Sequence, residues 1–139
     1  MRGGALLLRT DGASRGNPGH AGIGAVLEES GTGETLEFGA YIGETTNNVA
    51  EYRALLLGLE EAERLAPASL TVLSDSELMV RQLTGAYKVK SPKLRPLYLE
   101  ACRRLRHFNG VRILHVGREE NARADRLANR AIDAHFQDA

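Results

Sequence analysis

The sequence predicts an α/β fold: a mixed five-stranded sheet with helices packed on both faces. Three observations carry this expectation. Strand-like runs fill the first third of the chain, the apolar period then changes to helical spacing, and the later strands are reached through helices. Ala5 to Asp11 reads as a buried strand, 12–19 as a turn, and Ala21 to Glu28 as a second strand. Glu29-Ser30-Gly31-Thr32-Gly33 reads as a hairpin loop. Glu34 to Ile42 is a third strand, with Leu36 and Phe38 alternating against Glu37 and Gly39. Tyr52, Leu55, Leu56, Leu59, Ala62 and Ala66 then recur at helical spacing. Thr45 or Thr46 supplies that helix with an N-cap, and Pro67 follows its end. Ser69 to Ser74 is a short β-rich run, and Ser76 to Leu83 a short helix for which Ser74 and Glu77 fit a capping box. Pro92 to Phe108 is a longer helix opened by Ser91-Pro92 and ended before Gly110. Val111 to Val116 is the fifth strand, and Asn121 to His135 a final helix with Ala124, Leu127, Ala128, Ala131 and Ile132 on one face. The order β-β-β-α-β-α-α-β-α gives an antiparallel meander followed by strands parallel to one of the first three.

A chain of 139 residues, 42% hydrophobic and 26% charged, suits one compact soluble domain spanning 1–139. No run approaches the roughly 18 apolar residues of a membrane span. The opening Met1-Arg2-Gly3-Gly4 leads into an apolar run too short for a signal peptide, so the expected location is cytoplasmic. Cys102 is the only cysteine, which excludes an internal disulfide and a Cys-rich zinc site. The net charge of zero hides an asymmetry: residues 81–130 hold 13 Lys and Arg against 4 Asp and Glu, and the remainder holds 5 against 14. Such a split suggests a polyanionic partner and, elsewhere, an acidic site; two solvated helix faces are the alternative.

The acids sharpen this. Leu6 to Gly19 reads L-L-L-R-T-D-G-A-S-R-G-N-P-G, an apolar run stopping at one carboxylate. Asp-Gly by itself is ordinary turn punctuation. In a sheet with βα crossovers, however, strand C-termini share one edge, and ligands bind there. Asp11 closes strand one, Asp75 closes strand four, Glu51 lies in the first turns of the helix after strand three, and Asp125 lies early in the last helix. Taken singly, each reads as a turn residue, a dipole partner, a first-turn acid or a surface charge. Glu51 adjoins Tyr52 and Leu55, and Asp125 flanks Ala124, Leu127 and Ala128, so both acids border faces that must pack. Carboxylates gathered at one point repel unless a cation sits among them. Hard oxygen ligands without cysteine point to Mg²⁺ or Mn²⁺. Two such ions roughly 3.5–4 Å apart are a known device for in-line phosphoryl displacement.

Four motifs occur in order: D-G-A-S-R-G-N-P-G at Asp11–Gly19, T-N-N-V-A-E at Thr46–Glu51, S-D-S at Ser74–Ser76, and N-A-R-A-D-R-L-A at Asn121–Ala128. With them, the sequence resembles type 1 ribonuclease H over essentially its whole length. The resemblance implies a sheet whose second strand is antiparallel to the rest. It also implies hydrolysis of the RNA strand of RNA–DNA hybrids to 5′-phosphate and 3′-hydroxyl ends by a two-metal mechanism. Asp11, Glu51, Asp75 and Asp125 match the metal ligands, for two Mg²⁺ or, alternatively, Mn²⁺. By the same resemblance, Gly12 is expected to let a nucleic-acid backbone come close, Asn17 to approach the minor groove, Thr46, Asn47 and Asn48 to contact the hybrid backbone, and Ser76 to lie beside the RNA strand. Neutral hydrogen-bonding groups suit reading of the 2′-hydroxyl.

Three departures stand out. The family's mobile-loop histidine corresponds to either His115 or, as in members with an arginine there, Arg118; the alternation Val111, Ile113, His115 favours Arg118. The basic, Trp-rich handle of some members is replaced by a short stretch, Gln82 to Leu94, with Lys88, Lys90 and Lys93 and no Trp. Substrate affinity is therefore expected to be weaker and salt-sensitive, with double-stranded RNA open as a second substrate. Glu77 stands where the family often has glutamine. A monomer is expected. The rival readings are another duplex as substrate, or a hybrid-binding module without turnover; loss of a ligand would favour the latter, and none of the four is missing.

Overall fold

A computed structural model describes residues 4–137. Three antiparallel strands, β1 (Ala5–Gly16), β2 (Gly19–Glu29) and β3 (Thr35–Thr45), lead into helix α1 (Asn47–Arg64). Strand β4 (Ser69–Ser74), helices α2 (Glu77–Leu83) and α3 (Arg95–Leu105) and strand β5 (Val111–His115) follow. One 3-10 turn, Arg118–Asn121, precedes helix α4 (Ala122–Gln137). The five strands lie in the order β3-β2-β1-β4-β5. β4 and β5 run parallel to β1, and β2 alone runs against the rest.

The largest difference from expectation lies in β1. It does not stop at Asp11, and 12–19 is not a turn: β1 stays paired with β2 out to Gly16 opposite Gly19, leaving Asn17-Pro18 as the hairpin tip. The small residues after Asp11 are strand residues. The parallel pairing to β4 ends one residue earlier, at Thr10 opposite Ser74. Asp11 is thus where β1 parts from β4 while still held by β2, and the sheet opens a crevice there.

The two faces are packed differently. On one, Leu6, Leu8, Leu27, Leu70 and Val72 meet Tyr52, Leu55 and Leu59 of α1 in the main apolar core. Burying each such side chain contributes about 1.5–3 kcal/mol. On the other face α4 lies on β2 and β3. A Cβ at Gly22 or Gly24 would strike the carbonyl oxygen of Ala128 or Ala124, so only glycine allows that approach.

Caps and starts also differ. Thr46 is the N-cap of α1, its hydroxyl accepting from Val49 N at 3.3 Å. The capping box of Ser74 and Glu77 does not form, because the β4 ladder holds Ser74 in the strand. Ser76 caps α2 instead, accepting from Met79 N at 3.2 Å. Helix α3 begins at Arg95 rather than Pro92: Pro96, without an N–H, occupies the first turn, and 92–94 form a separate turn. No helix among the described residues is long and apolar enough to cross a membrane.

Candidate active site

Four elements deliver one acid each. Asp11 projects from β1 where β4 has ended, and Glu51 stands one turn into α1. Asp75 follows β4 in the link to α2, and Asp125 lies in the first turn of α4. Carboxylate oxygens of Asp11, Glu51 and Asp75 all lie within 4.8 Å of one another. Asp11 and Glu51 are each only 6% exposed. Asp125 is exposed at the rim, where Asn129 Nδ2 donates to its Oδ1 at 3.2 Å. All four acids line one cavity of about 540 Å³, together with Gly12, Asn47, Ser76, Glu77 and Arg118.

Two amide donors brace the cluster from behind. The Gly12 N–H donates to Glu51 Oε1 at 2.7 Å. Asn121 Nδ2 donates to Asp75 Oδ1 at 3.3 Å and to the Thr10 carbonyl at 2.8 Å. Burial, followed by the neighbouring charge of Glu51, pushes the Asp11 carboxyl far above the ordinary carboxylate range. Burial likewise raises Glu51, with the Gly12 N–H pulling the other way. No Lys, Arg or His among the described residues forms an ion pair with Asp11, Glu51 or Asp75. Neutralisation therefore falls to protons or to a bound cation, and an all-oxygen donor set fits a hard divalent ion.

The other expected site residues separate into groups. Asn47 and Ser76 line the acidic cavity. Asn17, Thr46 and Asn48 line a neighbouring depression with Lys93. Asn17 Oδ1 also accepts from Asn47 N at 3.0 Å, tying the hairpin tip to the start of α1. Lys88 and Lys90 are exposed on the loop before α3 and line neither depression. Arg118 lines the cavity, whereas His115 ends β5 opposite Ser74 and does not. Glu77 Oε1 accepts from Arg81 Nε at 2.9 Å, so its charge is paired. Asn121 and Asn129 received no role from the sequence. Asn121 opens the motif at Asn121–Ala128, and Asn129 lies just past it, four residues after Asp125.

A β3-β2-β1-β4-β5 sheet with β2 reversed, carrying a triad of two buried acids and one half-buried acid where β1 and β4 part, defines the ribonuclease H-like class of fold. The sequence matches the family described as reverse transcriptase-like over residues 9–131. It is 45% identical over 135 residues to a bifunctional protein of Mycobacterium tuberculosis, covering 96% of this chain and 37% of that one. The solved N-terminal RNase H domain of an M. tuberculosis protein superposes with a TM-score of 0.91 at 44% identity, covering 96% of this chain and 97% of the other. Ribonuclease HI of Halobacterium salinarum is 45% identical over 132 residues, 95% of this chain and 66% of its own length. LC11-RNase H1, solved in complex with an RNA/DNA hybrid, gives a TM-score of 0.88 at 45% identity over 94% of this chain and 99% of the other. The chain thus spans about a third of the mycobacterial relative and just under two thirds of the archaeal one. It belongs to the ribonuclease H family.

Proposed function

We propose that this chain is a metal-dependent endonuclease that hydrolyses the RNA strand of RNA–DNA hybrids, leaving 5′-phosphate and 3′-hydroxyl ends. The observation that carries the proposal is the convergence of Asp11, Glu51 and Asp75 within 4.8 Å, without an ion-paired cationic side chain among the described residues. The likeness to LC11-RNase H1, which was solved with an RNA/DNA hybrid, supports the choice of substrate. Asp11, Glu51, Asp75 and Asp125 are the residues that would hold Mg²⁺ or Mn²⁺, two ions in the substrate complex. Such ions supply the positive charge that favours in-line attack of water on a scissile phosphate.

The chain's own groups do the rest. The Gly12 N–H fixes one oxygen of Glu51, and the absence of a side chain on Gly12 lets α1 come close behind it. Asn17, Thr46, Asn48 and Lys93 present neutral donors and one cation beside the cavity, suited to a phosphate backbone and a 2′-hydroxyl. Arg118 places a guanidinium on the cavity wall, where it can meet negative charge developing on the phosphate and the departing 3′-oxygen.

The test is cleavage of a labelled RNA–DNA hybrid, a matched RNA duplex and a matched DNA duplex, with Mg²⁺, with Mn²⁺ and with chelator, beside an Asp75→Asn variant. Metal-dependent cutting of the hybrid's RNA strand, lost in the variant, is the expected result. Cutting of the RNA duplex as well would widen the substrate to double-stranded RNA. Hybrid binding without cleavage under either metal would leave a binding module and overturn the proposal.

A further inference from the structure

Asn121 is fully buried, yet its Oδ1 has no hydrogen-bond partner, and neither has the Oγ1 of Thr10 beside it. An unpaired buried carbonyl oxygen opposes folding. What Asn121 contributes therefore comes from its Nδ2. That nitrogen reaches two places: the Thr10 carbonyl at 2.8 Å and Asp75 Oδ1 at 3.3 Å.

Those two acceptors lie on either side of the point where β1 and β4 part. Thr10 opposite Ser74 is the last pair of the parallel ladder, and Asp11 and Asp75 are the next residue on each strand. Beyond that pair no ladder bond between β1 and β4 sets the separation of the two acids. The Asn121 amide spans the gap, fastened to main chain on one side and to the carboxylate on the other. It also sits where the 3-10 turn meets α4, so the same contact seats the helix that carries Asp125 a turn later. Gly12 N–H serves Glu51 in the corresponding way.

We propose that Asn121 is a positioning residue that acts through Asp75: bonded to one carboxylate oxygen and anchored on Thr10, it fixes how Asp75 presents itself to a divalent cation. The proposal rests on the metal-dependent reading above. Outer partners that orient a metal ligand typically change metal affinity by about 10–100-fold when removed.

The experiment is Mn²⁺ binding to the free protein, followed by electron paramagnetic resonance, for wild type, Asn121→Ala, Asp75→Asn and the double variant. Circular dichroism establishes that each is folded. Asn121→Ala is expected to bind Mn²⁺ about 10-fold more weakly. The double variant is expected to bind no more weakly than Asp75→Asn alone, because the amide then has no carboxylate to orient. Cleavage by Asn121→Ala should recover as Mn²⁺ is raised, while cleavage by Asp75→Asn should not. If Asn121→Ala does not fold, Asn121→Ser, too short to reach either acceptor, takes its place in the same cycle. Unchanged Mn²⁺ affinity in a folded Asn121 variant, or losses that multiply in the double variant, would overturn the positioning role. A wild-type affinity that Asp75→Asn leaves untouched would instead overturn the ligand assignment beneath it.

Discussion

Helices α1 and α4 each bring one acid to the same cavity, but they grip the sheet by opposite means. Helix α1 packs large side chains, Tyr52, Leu55 and Leu59, into a leucine-rich floor, and it carries Glu51 down to 6% exposure. Helix α4 lays its backbone almost directly on Gly22 and Gly24, and its acid, Asp125, stays at the solvent rim. Side-chain packing thus holds one acid buried, whereas backbone docking leaves the other exposed at the rim, where Asn129 donates to it. Glu51 belongs to the tight triad and Asp125 does not. The buried acid is expected to govern the chemistry and the rim acid to adjust it.

Substitution of the two acids should separate them most. Glu51→Gln removes a charge from the triad and is expected to lower kcat/KM by about 10³-fold, from a loss of about 4 kcal/mol in transition-state stabilisation. Asp125→Asn, at a solvated position, should lower it by about 10-fold, since interactions there are screened. Equal losses in steady-state assays would erase the distinction.

The two walls of the cavity near β5 offer the next contrast. Arg118→Ala is expected to reduce kcat by about 10²-fold, the scale of losing one preorganised donor to developing charge. His115→Ala, outside the cavity, should leave kcat within about twofold. The reverse ranking would return the role to the histidine.

Packing can be tested without turnover. Gly22→Ala forces a Cβ onto the Ala128 carbonyl, which cannot move without α4, and should cost about 3 kcal/mol in urea unfolding. Gly58→Ala meets the branched end of the Leu8 side chain rather than backbone. Its cost should be about 1 kcal/mol or less, because alanine also favours the helix.

A last contrast concerns pH. Asp11 and Glu51 hold their protons more tightly in the folded protein than in the unfolded chain. Their contribution to stability is whole below the ordinary carboxylate pKa of about 4 and is lost as pH rises through the folded values. The metal-free protein should therefore show a Tm that falls from pH 5 to pH 8. Mg²⁺ should raise it more at pH 8 than at pH 5, and Asp11→Asn should flatten the slope. A metal-free Tm that climbs over this range would contradict the assignment.

Much of this architecture can be read from residue order. The change from period two to period 3.6 after Thr45 marks where strands yield to α1, and all four acids sit in motifs whose order matches their elements. The end of β1 was illegible because Gly12, Ala13, Ser14 and Gly16 are poor strand formers that the β2 ladder holds in place. The choice between Ser74 and Ser76 as cap turned on where that ladder stopped, which local sequence does not state. Depth was hidden too: Glu51 and Asp125 both lie early in a helix beside apolar neighbours, and only tertiary packing makes one buried and the other exposed. Gly22 and Gly24 did carry a signal, two glycines on one face of a strand, which marks close approach of another backbone. Asn121 opens a motif, but its role was hidden, because its contact with Thr10 joins residues 111 positions apart.

That separation has a consequence during synthesis. A nascent chain that has emerged through β4 already contains Asp11, Glu51 and Asp75, but nothing yet bridges Thr10 to Asp75, and α4 does not cover Gly22 and Gly24. The amide that closes the crevice arrives only when residue 121 leaves the ribosome. The bridge across the crevice is thus made only after the three acids that it braces have all been synthesised.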